Sequence, residues 1–226
     1  MRSIEDKKVD KSKKDYLHEA SDKLNYFNWE MDFADVLDTA EARDKGFDIV
    51  IGNPPYVQMQ KMGAQIALFQ KKATSFDTFS KSGDLYMLFY EIGVDILKPG
   101  GVETYITSNK WIRTKYGTKL RKFFAEKTNP VKLVDFGQSL VFENAIVHSN
   151  VLMVKKEKYR GKLPACRFSE DYRKGSRIDE YFEKNHVNIT SISDESWMIL
   201  PKNIADIQSH IEEIGVPLKD WNLSTM

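Results

Sequence analysis

Phe47-Asp48-Ile49-Val50-Ile51-Gly52-Asn53-Pro54-Pro55-Tyr56 is the stretch whose reading decides the fold. Its first five residues are apolar apart from Asp48 and show no alternation, the pattern of a strand buried on both faces of a parallel sheet. The prolines end it, because proline has no amide hydrogen to give to a ladder. Asn53 then stands one residue past the strand, at the carboxyl end, where open α/β sheets hold their ligands. The last four residues gather a carboxamide, a main-chain carbonyl and an aromatic ring around one small volume. That set suits a planar substrate with an exocyclic amino group. The Asn53 side-chain oxygen and the Pro54 carbonyl supply two acceptors for its two hydrogens. The rings of Pro54 and Pro55 restrict the backbone that aims the carbonyl, and Tyr56 offers a face for stacking. Asn-Pro and Pro-Pro also mark plain surface turns. A buried strand before the motif and helix–strand units after it favour the site reading.

Working outward, Gly83-Asp84 opens a helix in which Leu85, Leu88, Phe89, Ile92 and Ile96 keep helical spacing, and Lys98-Pro99-Gly100-Gly101 stops it. Residues 102–107 are rich in β-branched side chains and read as the next strand. Residues 113–126 read as a basic helix with Leu120, Phe123 and Phe124 inward. Strands follow at 131–136 and 150–154. The second of these follows its predecessor without an intervening helix and is a candidate antiparallel strand. Alternating strands and helices predict an α/β layered domain with a mostly parallel sheet. Beyond Lys155 the pattern weakens, until Ile204, Ile207, Ile211 and Ile214 mark an amphipathic helix closed by Gly215 and Pro217. Upstream, Leu17, Ala20, Leu24 and Phe27 line one side of a helical pattern over residues 16–27.

The chain has 226 residues, 41% of them hydrophobic, which is ordinary for a globular protein of one sizeable domain. No apolar run is long enough to span a bilayer and the first residues lack a secretion signal, so a cytoplasmic location is expected. One cysteine, Cys166, and four histidines give no metal-ligand spacing, and no metal is expected. Net charge is +1, but its distribution is uneven. Residues 28–48 are acidic, whereas 110–135 hold eight basic residues against Glu126 and Asp135. Residues 155–177 hold nine against Glu157, Glu170 and Asp171. Two basic stretches after the motif fit a surface that meets phosphates, with Lys110, Arg113 and Lys115 as candidates, although such runs also occur on solvated helix faces.

Asn53-Pro54-Pro55-Tyr56 resembles the signature of adenine-specific DNA methyltransferases. Motif order over residues 25–220 is similar to that of the large type II restriction-modification enzymes in which methylase and nuclease share one chain. The resemblance implies an S-adenosylmethionine-dependent, Rossmann-like methyltransferase fold, here the second half of the sheet with helices on both faces. It implies transfer of methyl to the N6 of an adenine rotated out of double-stranded DNA. Asn53, Pro54, Pro55 and Tyr56 are then the catalytic element. Phe142, three residues before Ala145, resembles the Phe-x-x-Ala element that packs on the flipped base; a plain core aromatic is the other reading. Asp84, Leu85 and Tyr86 stand where the family walls its methyl-donor pocket, and Asp84 also reads as a helix N-cap. Trp197 to Trp221 resembles the segment leading into target recognition. Methyltransferases of ribosomal RNA or of protein glutamine share the Asn-Pro-Pro-Tyr element, and a non-catalytic DNA-binding or partner module is a further alternative.

The family's Gly-rich donor turn is missing: no Gly-x-Gly occurs in the chain. The expected organisation is therefore a tail and helix at 1–27, a partial catalytic domain at 28–190 and a linker at 191–226. The resemblance further implies a truncated piece, inactive by itself. The motif strand would also have an open apolar edge. Cover by residues 16–27, or by a second copy in a homodimer, is expected there.

Overall fold

A computed structural model of the chain describes residues 32–37, 45–62, 75–141, 147–168, 177–200 and 202–216. Within them the elements are α1 (Ala34–Leu37), β1 (Phe47–Gly52), α2 (Tyr86–Ile96), β2 (Leu97–Ser108), α3 (Thr118–Lys127), β3 (Asn129–Leu140), β4 (His148–Lys155), β5 (Leu163–Arg167), α4 (Ile178–Asn185), β6 (Val187–Ile189) and α5 (Lys202–Ile214). The strands form one six-stranded sheet in the order β1-β2-β4-β3-β5-β6. β1 and β2 are parallel, as are β3 and β5, while β4 runs antiparallel between β2 and β3 and β6 antiparallel to β5. β1, β2, β3 and β5 thus point the same way, and their carboxyl ends share one edge of the sheet. The antiparallel strand expected at 150–154 is β4.

Two apolar layers flank the sheet. On one face Tyr86, Met87, Tyr90 and Val94 of α2 and Leu120, Phe123 and Phe124 of α3 pack with Tyr105, Leu133, Leu152 and Val154. On the other, Phe182 of α4 packs with Val134, Phe136, Cys166 and Phe168. Helices therefore cover both faces, as expected, but the second layer extends across β4 only as far as Ile106 of β2 and includes no residue of β1. At the opposite border Ile49 is 65% and Ile51 78% exposed. The expectation that this strand is buried on both faces is thus corrected: β1 is an edge strand, and only its Val50 side meets the α2 layer. Phe33, just before α1, sets its ring 5.1 Å from Phe47 and shields the start of the strand alone. Among the described residues no strand pairs with the outer side of β1. Residues 16–27, one expected cover, lie outside the described residues.

Element ends differ from the pattern where tertiary contacts intervene. Lys98-Pro99-Gly100-Gly101 does not follow a free helix end. It bulges out of β2, because Leu97 pairs with Phe47 and Val102 with Ile49. Gly100 takes a positive φ of 79° in that bulge. The helix expected from Arg113 begins at Thr118, after short 3₁₀ turns at 109–112 and 115–117. Arg121 draws those turns together: its guanidinium donates to the main-chain oxygens of Trp111, Thr114 and Asp194.

Glu103 of β2 points into the α2 layer and is fully buried. A Cβ on Gly93 of α2 would collide with Glu103 Oε1, so only glycine leaves it room. Burial pushes the Glu103 pKa well above the ordinary carboxylate value, a bond from Tyr105 only partly opposes this, and Asp95 adds to it. A raised folded-state pKa means that stability is full below the unfolded value, near 4.5, and is lost as pH rises through the folded one. Glu103→Gln keeps the shape and cannot ionise. We expect it to flatten the fall of unfolding free energy between acidic and alkaline pH in urea titrations. A wild-type curve without that fall would disprove the account.

Candidate active site

Asn53 is exposed at the carboxyl end of β1, Pro54 is buried and Pro55 exposed. Tyr56 is half-buried; its hydroxyl donates to the main-chain oxygen of Ile106 at 3.1 Å, and its ring stands edge-on to Tyr86 with centroids 6.2 Å apart. Burial raises the Tyr56 pKa, with a bond to Ser149 acting the other way. Tyr56 therefore reaches from the end of β1 over the ends of β2 and β4, and its phenol stays protonated at neutral pH.

The segment that leaves the motif is tied to the start of α2. Leu85 N–H donates to Val57 O at 2.8 Å and Met59 N–H to Gly83 O at 3.0 Å, with Gln58 bridging Asp84 between them. Met59, Phe79 and Leu88 form a small apolar cluster beneath this bridge. Glu91 of α2 fixes the approach: its carboxylate accepts from Asp77 N–H, Thr78 N–H and Thr78 Oγ1–H at 2.8–3.0 Å. The pins hold Asn53 on a short, braced loop instead of a free turn.

Asp84 is nearly buried, and its Oδ2 accepts from Tyr116 O–H at 3.1 Å. Tyr116 and Tyr86 hydroxyls lie 3.2 Å apart. Burial, first of several causes, pushes the Tyr116 pKa up to about 12 and that of Tyr86 higher still. Of the three candidates for the donor wall, Tyr86 is fully enclosed, Asp84 is engaged with Tyr116, and only Leu85 is half-buried. Together with the absence of Gly-x-Gly, these residues do not fit a complete S-adenosylmethionine cradle. They fit a wall.

Further along the edge, Asn109 directly follows β2 and is buried, its Nδ2 donating to Asp135 Oδ1 at 2.7 Å and to Gly137 O at 3.1 Å. Arg113 NH2 meets Asp135 Oδ2 at 2.5 Å. Lys110 and Lys115 are exposed on the same loop. Phe142 and Ala145 lie outside the described residues, as does Trp221. Trp197 is buried against Trp111, ring centroids 5.3 Å apart, and its main-chain N–H donates to Ile112 O at 3.0 Å. The segment after β6 is thereby fastened to the loop beside the site.

Sequence reasoning missed Asp135, Asn150, Tyr116 and Arg167. Asp135 had a signal: an acid inside the apolar strand Val131-Lys132-Leu133-Val134-Asp135-Phe136 needs a partner. Asn150 Nδ2 donates to Thr107 O, Thr107 Oγ1 and Ser108 O at 3.0–3.2 Å, while its Oδ1 is buried without a partner among the described residues. Tyr116 and Arg167 had no local signal, because their partners are 32 residues away in both cases. Among the described residues no group of histidine, cysteine and acid side chains could hold a metal, and no helix is long and apolar enough to cross a membrane.

An exposed asparagine, a tethered tyrosine and buried polar groups thus line the carboxyl edge of an α/β sheet. The family model of the Eco57I restriction-modification methylase matches residues 1–142, and the chain belongs to that family, with an α/β methyltransferase fold. It is 31% identical over 170 residues to the type II restriction enzyme and methyltransferase RM.Eco57I of Escherichia coli, a match covering 71% of this chain and 16% of that protein. It is 37% identical over 109 residues to the type II methyltransferase M.BanIII of Aneurinibacillus aneurinilyticus, covering 48% of this chain and 18% of the relative. The ATP-dependent Type ISP restriction-modification enzyme LlaBIII bound to DNA shares the fold at a TM-score of 0.54 and 15% identity, over 69% of this chain and 13% of that one. The chain thus spans less than a fifth of the length of each of these three.

Proposed function

We propose that this chain supplies the base-binding half of a DNA adenine-N6 methyltransferase of a type II restriction-modification system. The observation that carries the reading is the exposed Asn53 at the carboxyl end of β1, beside a Tyr56 held by Ile106 O. The amino nitrogen of adenine is a poor nucleophile because its lone pair is delocalised into the ring. Acceptors at Asn53 Oδ1 and Pro54 O, aimed at its two hydrogens, favour a tetrahedral, electron-rich nitrogen. They also stabilise the positive charge that develops on it. Tyr56 and Phe142 hold the extruded base between them. S-adenosylmethionine supplies the methyl group, and Asp84, Leu85 and Tyr86 contribute a wall to its pocket.

The chain by itself should hold the donor weakly and turn over little. Calorimetry on the 226-residue protein should show no micromolar binding of S-adenosylmethionine; a micromolar constant would overturn that part. The substrate is tested with a complete methyltransferase that includes this sequence, offered duplex DNA, ribosomal RNA and a glutamine-bearing protein. N6-methyladenine in the duplex is the expected product, and methylation of either other substrate in its place would refute the assignment.

A further inference from the structure

Asp135 is a fully buried carboxylate of β3, level with Arg167 at the carboxyl end of β5, and its donors come from β3 and from the loop after β2. Its Oδ1 accepts from Asn109 Nδ2 at 2.7 Å and from Gly137 N–H at 3.0 Å. Its Oδ2 accepts from Arg113 NH2 at 2.5 Å, and Arg167 Nε, at the end of β5, stands 3.8 Å from the same oxygen. One guanidinium suffices to neutralise one buried acid. Here two converge on it, so among the described residues the group carries an excess of one positive charge. No other acid among the described residues lies within ion-pair distance of either arginine.

Both arginines remain open to solvent, Arg113 at 37% and Arg167 at 41% of the side chain. Each therefore has one side turned toward Asp135 while part of its fork of N–H donors faces water. Gly137, whose N–H also donates to Asp135, has a positive φ of 61°, and a Cβ there would come within 3.6 Å of Arg167 Nε, so a bare glycine leaves that side chain its room. Two braced, half-exposed guanidiniums with a surplus charge match the charge and fork geometry of a phosphate oxygen pair.

We infer that Arg113 and Arg167, held by Asp135, form a seat for one phosphodiester of the duplex backbone. This rests on the reading that the chain acts on DNA. The seat lies on the same carboxyl edge as Asn53, with β2 and β4 between them, so a strand gripped there is fixed relative to the base-binding motif. Asp135 is the positioning residue; the two arginines make the contact.

The test is anisotropy of a labelled mixed-sequence duplex with the 226-residue protein, over roughly 50 to 200 mM salt. Arg167→Gln should weaken binding about three- to tenfold at the low end and lower the slope of log affinity against log salt by about 1. Arg167→Lys should restore most of the slope and less of the affinity, because charge is kept and the fork is lost. A folded Arg167→Gln variant with the wild-type slope would overturn the seat and leave the DNA reading standing. A wild-type chain that fails to bind duplex at low salt would remove the DNA reading and the seat with it. A second readout needs no variant: the Nε–Hε resonances of Arg113 and Arg167 should move when duplex is added. At matched concentration inorganic phosphate should leave them in place. Resonances unmoved by duplex, or moved equally by free phosphate, would refute a phosphodiester seat.

Discussion

Asn53→Ala, placed in a complete methyltransferase containing this sequence, is expected to lower methyl transfer by about 10²–10³-fold, the range for losing one preorganised polar group at a developing charge. Duplex affinity should stay within a few-fold, because the proposed role of Asn53 is on the amino nitrogen and the proposed phosphate seat is elsewhere on the edge. The fold should be undisturbed: Asn53 is exposed, while the loop is pinned by Val57 O, Met59 N–H and the Tyr56 hydroxyl. Asn53→Asp keeps an acceptor oxygen in the same place and should lose less. Single-turnover methylation, with binding and thermal unfolding measured on the same samples, separates the cases. Equal losses of affinity, stability and rate in Asn53→Ala would assign the residue to folding instead of chemistry.

Trp111→Ala should be the most damaging single change to stability. Trp111 is fully buried and touches Phe124 and Trp197, each with ring centroids 5.3 Å away, and Tyr90 at 6.4 Å. Its main-chain oxygen is one of those that hold the Arg121 guanidinium. Truncating such a side chain costs about 3–5 kcal/mol from lost burial and the cavity left behind. For a chain of this size that is a fall in melting temperature of roughly 6–20 °C. Trp111→Phe should cost much less. It keeps a ring, and it removes an indole N–H that has no hydrogen-bond partner among the described residues. Near-ultraviolet circular dichroism through a thermal ramp gives the answer. A Trp111→Ala midpoint within two or three degrees of wild type, on the scale of about 1 kcal/mol, would contradict the packing account.

The parts of the fold that could be read from the chain are those whose signals are local. β1, α2, β3, β4 and α5 each follow from runs or spacings of apolar residues, and the fold class follows from their alternation. α4 and β6 are short and half-exposed, and periodicity has little to mark in them. The burial of β1 was misread because composition does not say whether a helix layer extends to the border: Phe47, Ile49 and Ile51 look alike, and only Phe47 meets an aromatic neighbour. The position of Asn53 and Tyr56 at the end of β1 was legible because the prolines punctuate the strand there. Asp84 was legible as a position but not as a partner of Tyr116, since that bond joins segments 32 residues apart. Asp135 and its two arginines are legible only when β2, β3 and β5 are brought side by side.

Ile49 and Ile51 have a practical outcome. Oily side chains on a strand whose outer side has no partner among the described residues are an adhesive margin, able to recruit any extended peptide that comes close. Handling of the protein should thus depend on how much of it is in the tube. Dilute samples should stay clear, and concentrated ones should thicken or cloud first through this margin, with a lysine at position 49 or 51 postponing the onset.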